Sequence, residues 1–310
     1  MTFMAPYILV IGSANVDFTV QVERLPQVGE TVSGGDFRVS YGGKGANQAL
    51  AAHLAGAPVL MIARLGRDPN GDALYRHLTA AGISAQGLWR DDEAPSGVAL
   101  IMVDSQGRNL IATAPGSNRC LSVADLQALD PSAFNGPILL TQLETPLDTV
   151  EYSLQRALSA GMITILNPAP AQPLGAEFLG LVHILTPNET EASLLSGLVV
   201  TDLESARQAG ERLLSMGCRT VILTLGEQGA MLVCRQEVRH FPPFPVTPVD
   251  TTAAGDAFNG ALAAALFAGM NLEQAIVRAN AAGALCVTKR GAQEALPTRQ
   301  QIEALIEGTR

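Results

Sequence analysis

The chain has 310 residues, 47% of them apolar and 16% charged, with a formal net charge of −9. That composition supplies a large core, argues against disorder, and suits one α/β domain or a main domain with a small appendage. The acidic balance excludes sustained binding to nucleic acid or an anionic membrane, both of which need a basic surface, although local N–H groups and a few cations can still hold a phosphate.

Met4-Ala5-Pro6 leads into an apolar run without the basic stretch of a signal peptide, and no apolar run reaches the roughly 18 residues that a membrane-spanning helix needs. Residues 7–11 are that first run, ended by Gly12 as a buried parallel strand would be. Residues 20–41 are rich in Gly, Val and Thr and show no helical period. Residues 43–55 are Ala-rich at helical spacing until Gly56-Ala57-Pro58 stops them. A buried strand follows at 59–65 and a helix at 70–81, closed by Gly82. Residues 97–103, the turn Asp104-Ser105-Gln106-Gly107 and residues 108–114 have the pattern of a hairpin. Further strands are expected at 138–143, 163–166, 184–186 and 221–225, and helices at about 146–160, 189–195, 203–216, 255–268 and 272–287. Such alternation builds a mainly parallel sheet with helices on both faces. The two segments that break it, 20–41 and 96–115, are either ordinary surface excursions or a small extra sheet able to act as a lid. Cys120, Cys218, Cys234 and Cys286 lie far apart with no C-x-x-C pair, so neither a zinc site nor a disulfide framework is expected. They read as small buried hydrophobes in a reducing compartment, and the expected location is cytoplasmic.

The densest chemical signal is Asp250-Thr251-Thr252-Ala253-Ala254-Gly255-Asp256, opening into Ala257-Phe258-Asn259-Gly260. The small residues let an anion approach the unpaired N–H groups and positive dipole end of a helix start. Asp256 in the same turn would repel that anion, unless its task is to take a proton from an attacking hydroxyl. The run therefore suggests phosphoryl transfer to an alcohol; a plain helix cap is the alternative. Gly42-Gly43-Lys44-Gly45-Ala46-Asn47-Gln48-Ala49 sets glycines and two donors at a helix start. It is not a G-x-x-x-x-G-K-[ST] loop, and it suits a phosphate, sugar hydroxyls or merely a tight turn. Gly12-Ser13-Ala14-Asn15-Val16-Asp17 lacks G-x-G-x-x-G. Asn15 and Asp17 nonetheless follow a strand end, where open α/β sheets bind ligands. A carboxylate there can accept two hydrogen bonds from a vicinal diol; loop backbone groups are the plainer partners. In Thr186-Pro187-Asn188-Glu189-Thr190-Glu191, Asn188 and Glu191 share a helix face, fit to order hydrated Mg²⁺ or simply to cap. The glycines of Thr224-Leu225-Gly226-Glu227-Gln228-Gly229 permit a nucleotide against the backbone. His53, His77, His183 and His240 form no cluster, so no metal or His-base mechanism is expected.

Together these runs resemble the ribokinase family of carbohydrate kinases, also called the phosphofructokinase-B family, over nearly the whole chain. An N-terminal signature runs from Gly42-Gly43 through Asn47 and Ala49 to Gly56 and Gly66, and a C-terminal one is the 250–260 run. Asn167-Pro168-Ala169-Pro170-Ala171 and Lys289-Arg290-Gly291-Ala292-Gln293 also match family patterns. The resemblance implies a three-layer α/β/α fold with a mainly parallel central sheet. It implies one kinase domain over residues 1–310 and a small β-sheet lid from about 16–41 and 96–116. It further implies ATP-dependent phosphorylation of a sugar at a primary hydroxyl, with D-ribose O5 the first expectation. Asp256 would be the base and the N–H groups of Ala254, Gly255 and Asp256 the anion hole. Asn15, Asp17, Gly42, Gly43, Lys44, Asn47 and Glu144 would hold the sugar. Asn188, Thr224, Gly226, Gly229, Ala254, Gly255 and Asn280 would contact ATP, and Glu191 would order Mg²⁺. Asp250, Thr252, Cys286, Lys289 and Gly291 would hold an activating K⁺, with Ala295 standing where such proteins often carry Ser. A homodimer through the lid sheets is implied as well. Kinases of deoxyribose, another sugar or a nucleoside, and a silent sugar-binding protein, are the alternatives; a nucleotide-dependent oxidoreductase is more distant.

Overall fold

The computed structural model describes residues 6–309, so Met4 and Ala5 lie outside the described residues. In chain order the strands are β1 (Ile8–Ile11), β2 (Asn15–Val22), β3 (Gly34–Gly42), β4 (Val59–Gly66), β5 (Leu88–Asp91), β6 (Gly97–Val103), β7 (Asn109–Ala114), β8 (Ile138–Thr141), β9 (Ile163–Leu166), β10 (Ile184–Leu185), β11 (Thr220–Thr224), β12 (Ala230–Cys234) and β13 (Val238–Phe241). One sheet has the order β13-β12-β11-β10-β9-β8-β1-β4-β5, and a second the order β3-β2-β6-β7. From β11 through β1 to β5 all neighbours are parallel. Strands β12 and β13 return antiparallel at one edge.

Alternate side chains of a strand serve opposite faces, and β1 shows the consequence. Leu9 and Ile11 pack with Val150, Leu154 and Leu213, whereas Ile8 and Val10 pack with Ala49, Leu262 and Ile276. The helices Leu147–Ser159 and Leu203–Ser215 therefore cover one face, and Lys44–Leu54, Ala254–Phe267 and Leu272–Cys286 cover the other. This is the expected three-layer α/β/α arrangement. Each fully buried Leu or Ile contributes roughly 1.5–3 kcal/mol, so the sheet is a stiff platform for the loops above it.

Several elements differ from expectation. Strand β8 stops at Thr141, two residues before its apolar run ends, so Gln142 and Leu143 turn away into the loop above the sheet. The β12–β13 hairpin has no sequence signal because its connection, Arg235-Gln236-Glu237, contains no turn-forming residue. Strand β5 and the helix Arg299–Gly308 were also not anticipated. Asn15 and Asp17 open a strand rather than occupying a loop. The alternation of polar Asn15, Asp17 and Thr19 with apolar Val16, Phe18 and Val20 is the half-buried strand pattern that explains this.

In the second sheet β2 pairs antiparallel with β3 and parallel with β6, and β6 pairs antiparallel with β7 across the expected turn. Strands β6 and β7 fall within the segment 96–115 and β3 ends one residue beyond 20–41, whereas β2 begins at Asn15, five residues before that segment. Register places Phe18 beside Val39 and Leu100, and Val20 beside Phe37 and Met102, giving an apolar face opposite the one that carries Asp17. Among the described residues no helix is long and apolar enough to cross a membrane.

Candidate active site

The loops that follow β1, β8, β9, β10 and β11 all leave the carboxyl edge of the parallel sheet. Strand order reverses between β1 and β8, the crevice where open α/β sheets bind ligands. These loops carry Ser13, Gln142 and Glu144, Asn167, Thr186 and Asn188, and Gly226 and Gly229, and Asn15 opens β2 directly after the first of them. The helices Lys44–Leu54 and Ala254–Phe267 add their first turns.

The helix Ala254–Phe267 begins after Ala253, whose φ of +60° puts a residue with a Cβ in the left-handed region, and no side chain caps it. Such a conformation costs about 1–2 kcal/mol. The Ala254 N–H donates to the Thr251 carbonyl (3.3 Å). Among the described residues, those of Gly255 and Asp256 donate to no protein acceptor. A Cβ added at Gly255 would meet nothing within 4 Å. The two N–H groups thus form an open anion cradle at the positive end of the helix.

The Asp256 carboxylate does not cap its own helix. It is 6% exposed and accepts hydrogen bonds from Asn47 Nδ2 (2.8 Å) and Gln48 Nε2 (2.9 Å). Burial pushes its pKa up; the charge of Lys44 and the two amide bonds oppose this, Glu144 adds to it, and the net shift is upward. A buried carboxylate with raised proton affinity beside an anion cradle is suited to accept a proton from a hydroxyl.

Asp17 faces the same space. Its carboxyl group lies against the Cα of Gly42, where a Cβ would collide with it. Burial, then the charges of Glu144, Glu294 and Asp256, push its pKa up to about 7. Glu144 accepts from the Ser13 hydroxyl and from the Lys44 N–H (3.0 Å). Burial opposes the charge on Lys44, but Asp256, Glu144 and Glu191 outweigh it and raise its pKa. Gly43 holds φ +87°, and a Cβ there would stand 2.7 Å from Ala14 Cα and 2.8 Å from the Asn15 N. Glycine is what allows the Lys44 helix start to approach the β1–β2 connection. Asn15 Oδ1 accepts from Asn118 Nδ2 (2.7 Å). Asn47 has its oxygen and one N–H engaged within the protein, which leaves one N–H for a ligand.

On the other side of the cradle lies a cavity of about 750 Å³. Lys44, Asn188, Glu191, Thr224, Gly226, Gly229, Ala254, Gly255, Asp256 and Asn280 all line it, with an apolar wall of Phe244, Val246, Ala284 and Val287. An apolar slot with a few convergent polar groups fits a planar base joined to a charged chain. Asn188 and Glu191 make a full capping box at the helix Glu189–Ser196 while also lining this cavity. Asn188 N–H and Nδ2 donate to the two Glu191 oxygens (2.9 and 3.1 Å), and burial pushes the Glu191 pKa up. That donor set fits an ion that keeps its own waters, as Mg²⁺ does.

The residues expected around K⁺ are also brought together. Asp250 accepts from the Thr252 N–H and hydroxyl (2.9 and 2.6 Å) and from the Gly291 N–H (3.0 Å). Cys286 Sγ donates to the Thr252 carbonyl (3.5 Å) and the Lys289 N–H to the Cys286 carbonyl (3.2 Å). The Lys289 side chain is exposed. Ala295 is fully buried in the cluster that holds Cys286 and offers no hydroxyl. Among the described residues no three His, Cys, Asp or Glu side chains gather to hold an ion. A cation here would rest on backbone carbonyls and the Asp250 carboxylate, a donor set compatible with K⁺.

Sequence reasoning gave no role to the amides behind the base. Gln48 donates to Asn167 Oδ1 (3.0 Å) as well as to Asp256, and accepts from Gln142 Nε2 (2.7 Å). Gln293 Nε2 donates to Asn47 Oδ1 (3.0 Å). Asn259 ties the Gly255 carbonyl (2.8 Å) to the Thr186 hydroxyl (2.6 Å). For Gln48 and Asn259 the available signal was a polar residue inside an Ala-rich buried helix, which must find a partner; Gln142, Asn167 and Gln293 lie outside such helices and carry no comparable signal.

Residues 5–299 match the pfkB family carbohydrate kinase description. A ribokinase from Haemophilus influenzae is 39% identical over 98% of this chain and 99% of its own. A deoxyribokinase from Salmonella typhi is 35% identical over 96% and 98%. The structure of an Arabidopsis thaliana ribokinase complexed with ribose and ATP is similar with a TM-score of 0.90 at 33% identity, covering 98% of this chain and 99% of that one. With the cradle, the buried carboxylate and the cavity arranged as described, the chain belongs to the pfkB family of carbohydrate kinases.

Proposed function

We propose that this protein transfers the terminal phosphoryl group of ATP to O5 of D-ribose. One observation carries the assignment of roles: the Asp256 carboxylate, buried and of raised proton affinity, shares a helical turn with two open N–H groups. Asp256 takes the O5 proton as O5 attacks phosphorus and the bond to the ADP oxygen breaks. The open N–H groups of Gly255 and Asp256 face the charge on the transferred group, with Lys44 as the nearby cation; the Ala254 N–H, expected as a third donor, is engaged by the Thr251 carbonyl because the left-handed Ala253 turns it back on the preceding loop. Asp17 accepts from adjacent sugar hydroxyls, and Asn15, Gly42, Gly43, Asn47 and Glu144 shape the rest of that subsite. Asn188, Thr224, Gly226, Gly229 and Asn280 line the nucleotide side. Mg²⁺ held through water by Glu191 would neutralise phosphate charge, since catalysis of this kind is mainly positioning and charge stabilisation. The 250–252 and 286–291 segments would hold K⁺ and steady the cradle.

The β3-β2-β6-β7 sheet is the lid of a single kinase domain, carrying Asp17 on its inner face and excluding water from the transfer. Its outer apolar face and open edges pair with a second copy. Deoxyribose is the competing substrate because a deoxyribokinase is among the relatives; Asp17 favours the sugar with adjacent hydroxyls.

The test is ATP-dependent phosphorylation of ribose, deoxyribose, fructose and adenosine with Mg²⁺, with and without K⁺, for the native chain and Asp256→Asn. Ribose preference and loss of turnover in Asp256→Asn are expected. Near-normal turnover in that variant would remove the base assignment, and preference for deoxyribose would keep the mechanism and discard the substrate. Binding of ribose and ATP without turnover would make it a silent binding protein.

A further inference from the structure

Asp256 lies at the end of a buried chain of amides in which each member restrains the sense of the next. Asn47 Nδ2 donates to the carboxylate (2.8 Å), Gln293 Nε2 donates to Asn47 Oδ1 (3.0 Å), and Gln293 Oε1 meets His77 Nε2 (2.7 Å). Asn47 and Gln293 are 6% and 5% exposed, so water does not replace these partners. The His77 ring stacks on Tyr41 of β3, centroids 4.1 Å apart. Gln293 opens the short helical turn Gln293–Ala295, two residues after Gly291, whose N–H binds Asp250.

The sense of this chain is over-determined. A reversed Asn47 would set its oxygen against a carboxylate oxygen, and a reversed Gln293 would set its oxygen against Asn47 Oδ1. Both are repulsive in a buried site. His77 Nε2 must then carry a proton to donate to Gln293 Oε1. We infer that Gln293 is a positioning residue for the Asp256 base: by donating to Asn47 Oδ1 it holds the Asn47 amide with its N–H toward the carboxylate. This rests on Asp256 being the base. Gln293 touches neither substrate, so it acts on turnover more than on affinity. A misplacement of about 1 Å in a reacting group is worth on the order of a hundredfold in rate.

Two substitutions of similar size separate this role from simple packing. Gln293→Met fills the space and donates nothing. Gln293→Glu, when ionised, only accepts, so Asn47 must turn its N–H toward position 293 and its oxygen toward Asp256. When protonated, Glu donates to Asn47 Oδ1 and restores the native sense. The charged and titratable groups near position 293 are His77, Asp256, the adjacent Glu294 and, around Gly291, Asp250 and Arg38; these are common to both variants, so the Glu-to-Met ratio removes their titration. The measurement is kcat against pH from about 5.5 to 8.5 for both variants, with ribose and ATP affinities and thermal unfolding. Gln293→Met should lose on the order of tenfold to a hundredfold in kcat with affinities nearly unchanged. Gln293→Glu should be slower still at pH 8.5, and its rate relative to Gln293→Met should climb as pH falls. A third variant, His77→Phe, keeps the stacked ring, removes the donor and should show a smaller kcat loss. The inference is overturned if Gln293→Met keeps kcat within about twofold, or if the Glu-to-Met ratio is flat with pH while both variants lose only stability. Asp256→Asn in the same series reports on the base itself. If it retains turnover the base reading fails, whereas a dead Asp256→Asn beside indifferent Gln293 variants leaves that reading intact.

Discussion

Asp256 is 6% exposed with both carboxylate oxygens held by amides, whereas Phe37 of the small sheet is 64% exposed and the outer strand β7 is exposed along its whole length. One region is finished before any ligand arrives; the other is left unsatisfied. A group that must accept a proton in a dry site needs its partners in place at the moment of reaction, because reorganising them then would add to the barrier. Under the proposed lid role the small sheet would have to open and close, and such elements come from the weakly packed parts of a fold.

The sharpest way to break the finished region is Asp256→Asn. It keeps the shape and removes the proton acceptor, and kcat should fall by roughly a hundredfold to ten-thousandfold with folding and ribose binding retained. Steady-state kinetics beside calorimetric titration check both halves. Gly43→Ala attacks the same region through the backbone. The residue would have to hold φ +87° with its Cβ 2.7 Å from Ala14 Cα, so a loss of about 1–3 kcal/mol in stability and weaker sugar binding are expected from thermal unfolding and titration.

Asp17 joins the two regions and titrates between them. Its folded pKa, about 7, is raised above the ordinary value of 3.8, so the folded state holds the proton more tightly than the unfolded chain. The contribution of Asp17 to the stability of the unliganded protein should therefore be fullest below about pH 4 and be lost as pH rises through about 7, opposite in sign to that of carboxylates with lowered pKa such as Asp91 and Asp125. Asp17→Asn should flatten that slope. Ribose hydroxyls favour the charged carboxylate, so ribose affinity should strengthen as pH rises through about 7 and lose this dependence in the variant. The smallest effect on stability is expected in the open region. Phe37→Ser should change monomer stability within about 0.5 kcal/mol, yet shift the sedimenting species from dimer to monomer. A dimer that survives it would place the partner contact elsewhere.

Much of the fold was legible along the chain because its signals are local. Apolar runs of strand length, an Ala-rich helix stopped by Gly56, and Gly107 in a hairpin turn each record their own geometry in a few neighbouring residues. The three-layer arrangement follows from their alternation. The β12–β13 hairpin was silent because nothing in Arg235-Gln236-Glu237 marks a turn. The start of strand β2 is ambiguous in sequence: Asn15 and Asp17 read as a loop because the short alternation begins directly after β1 and Gly12, while the family resemblance implies a sheet from about residue 16. The end of β8 was overestimated because an apolar residue, Leu143, continues the run beyond the last strand pairing.

The candidate site divides in the same way. By itself the sequence determined that small residues, a helix start and a carboxylate stand together at 253–256, and that glycines precede the helix at Lys44, because adjacent residues necessarily share a turn. Only the tertiary structure decided that Asp256 looks to Asn47 and Gln48 instead of to its own helix, that Asp17 lies against Gly42 on a strand, and that Gln293 reaches Asn47. These contacts join residues more than two hundred positions apart in two of the three cases. They depend on which strands lie side by side, and side-chain chemistry at one position carries no record of the partner that chain closure brings to it.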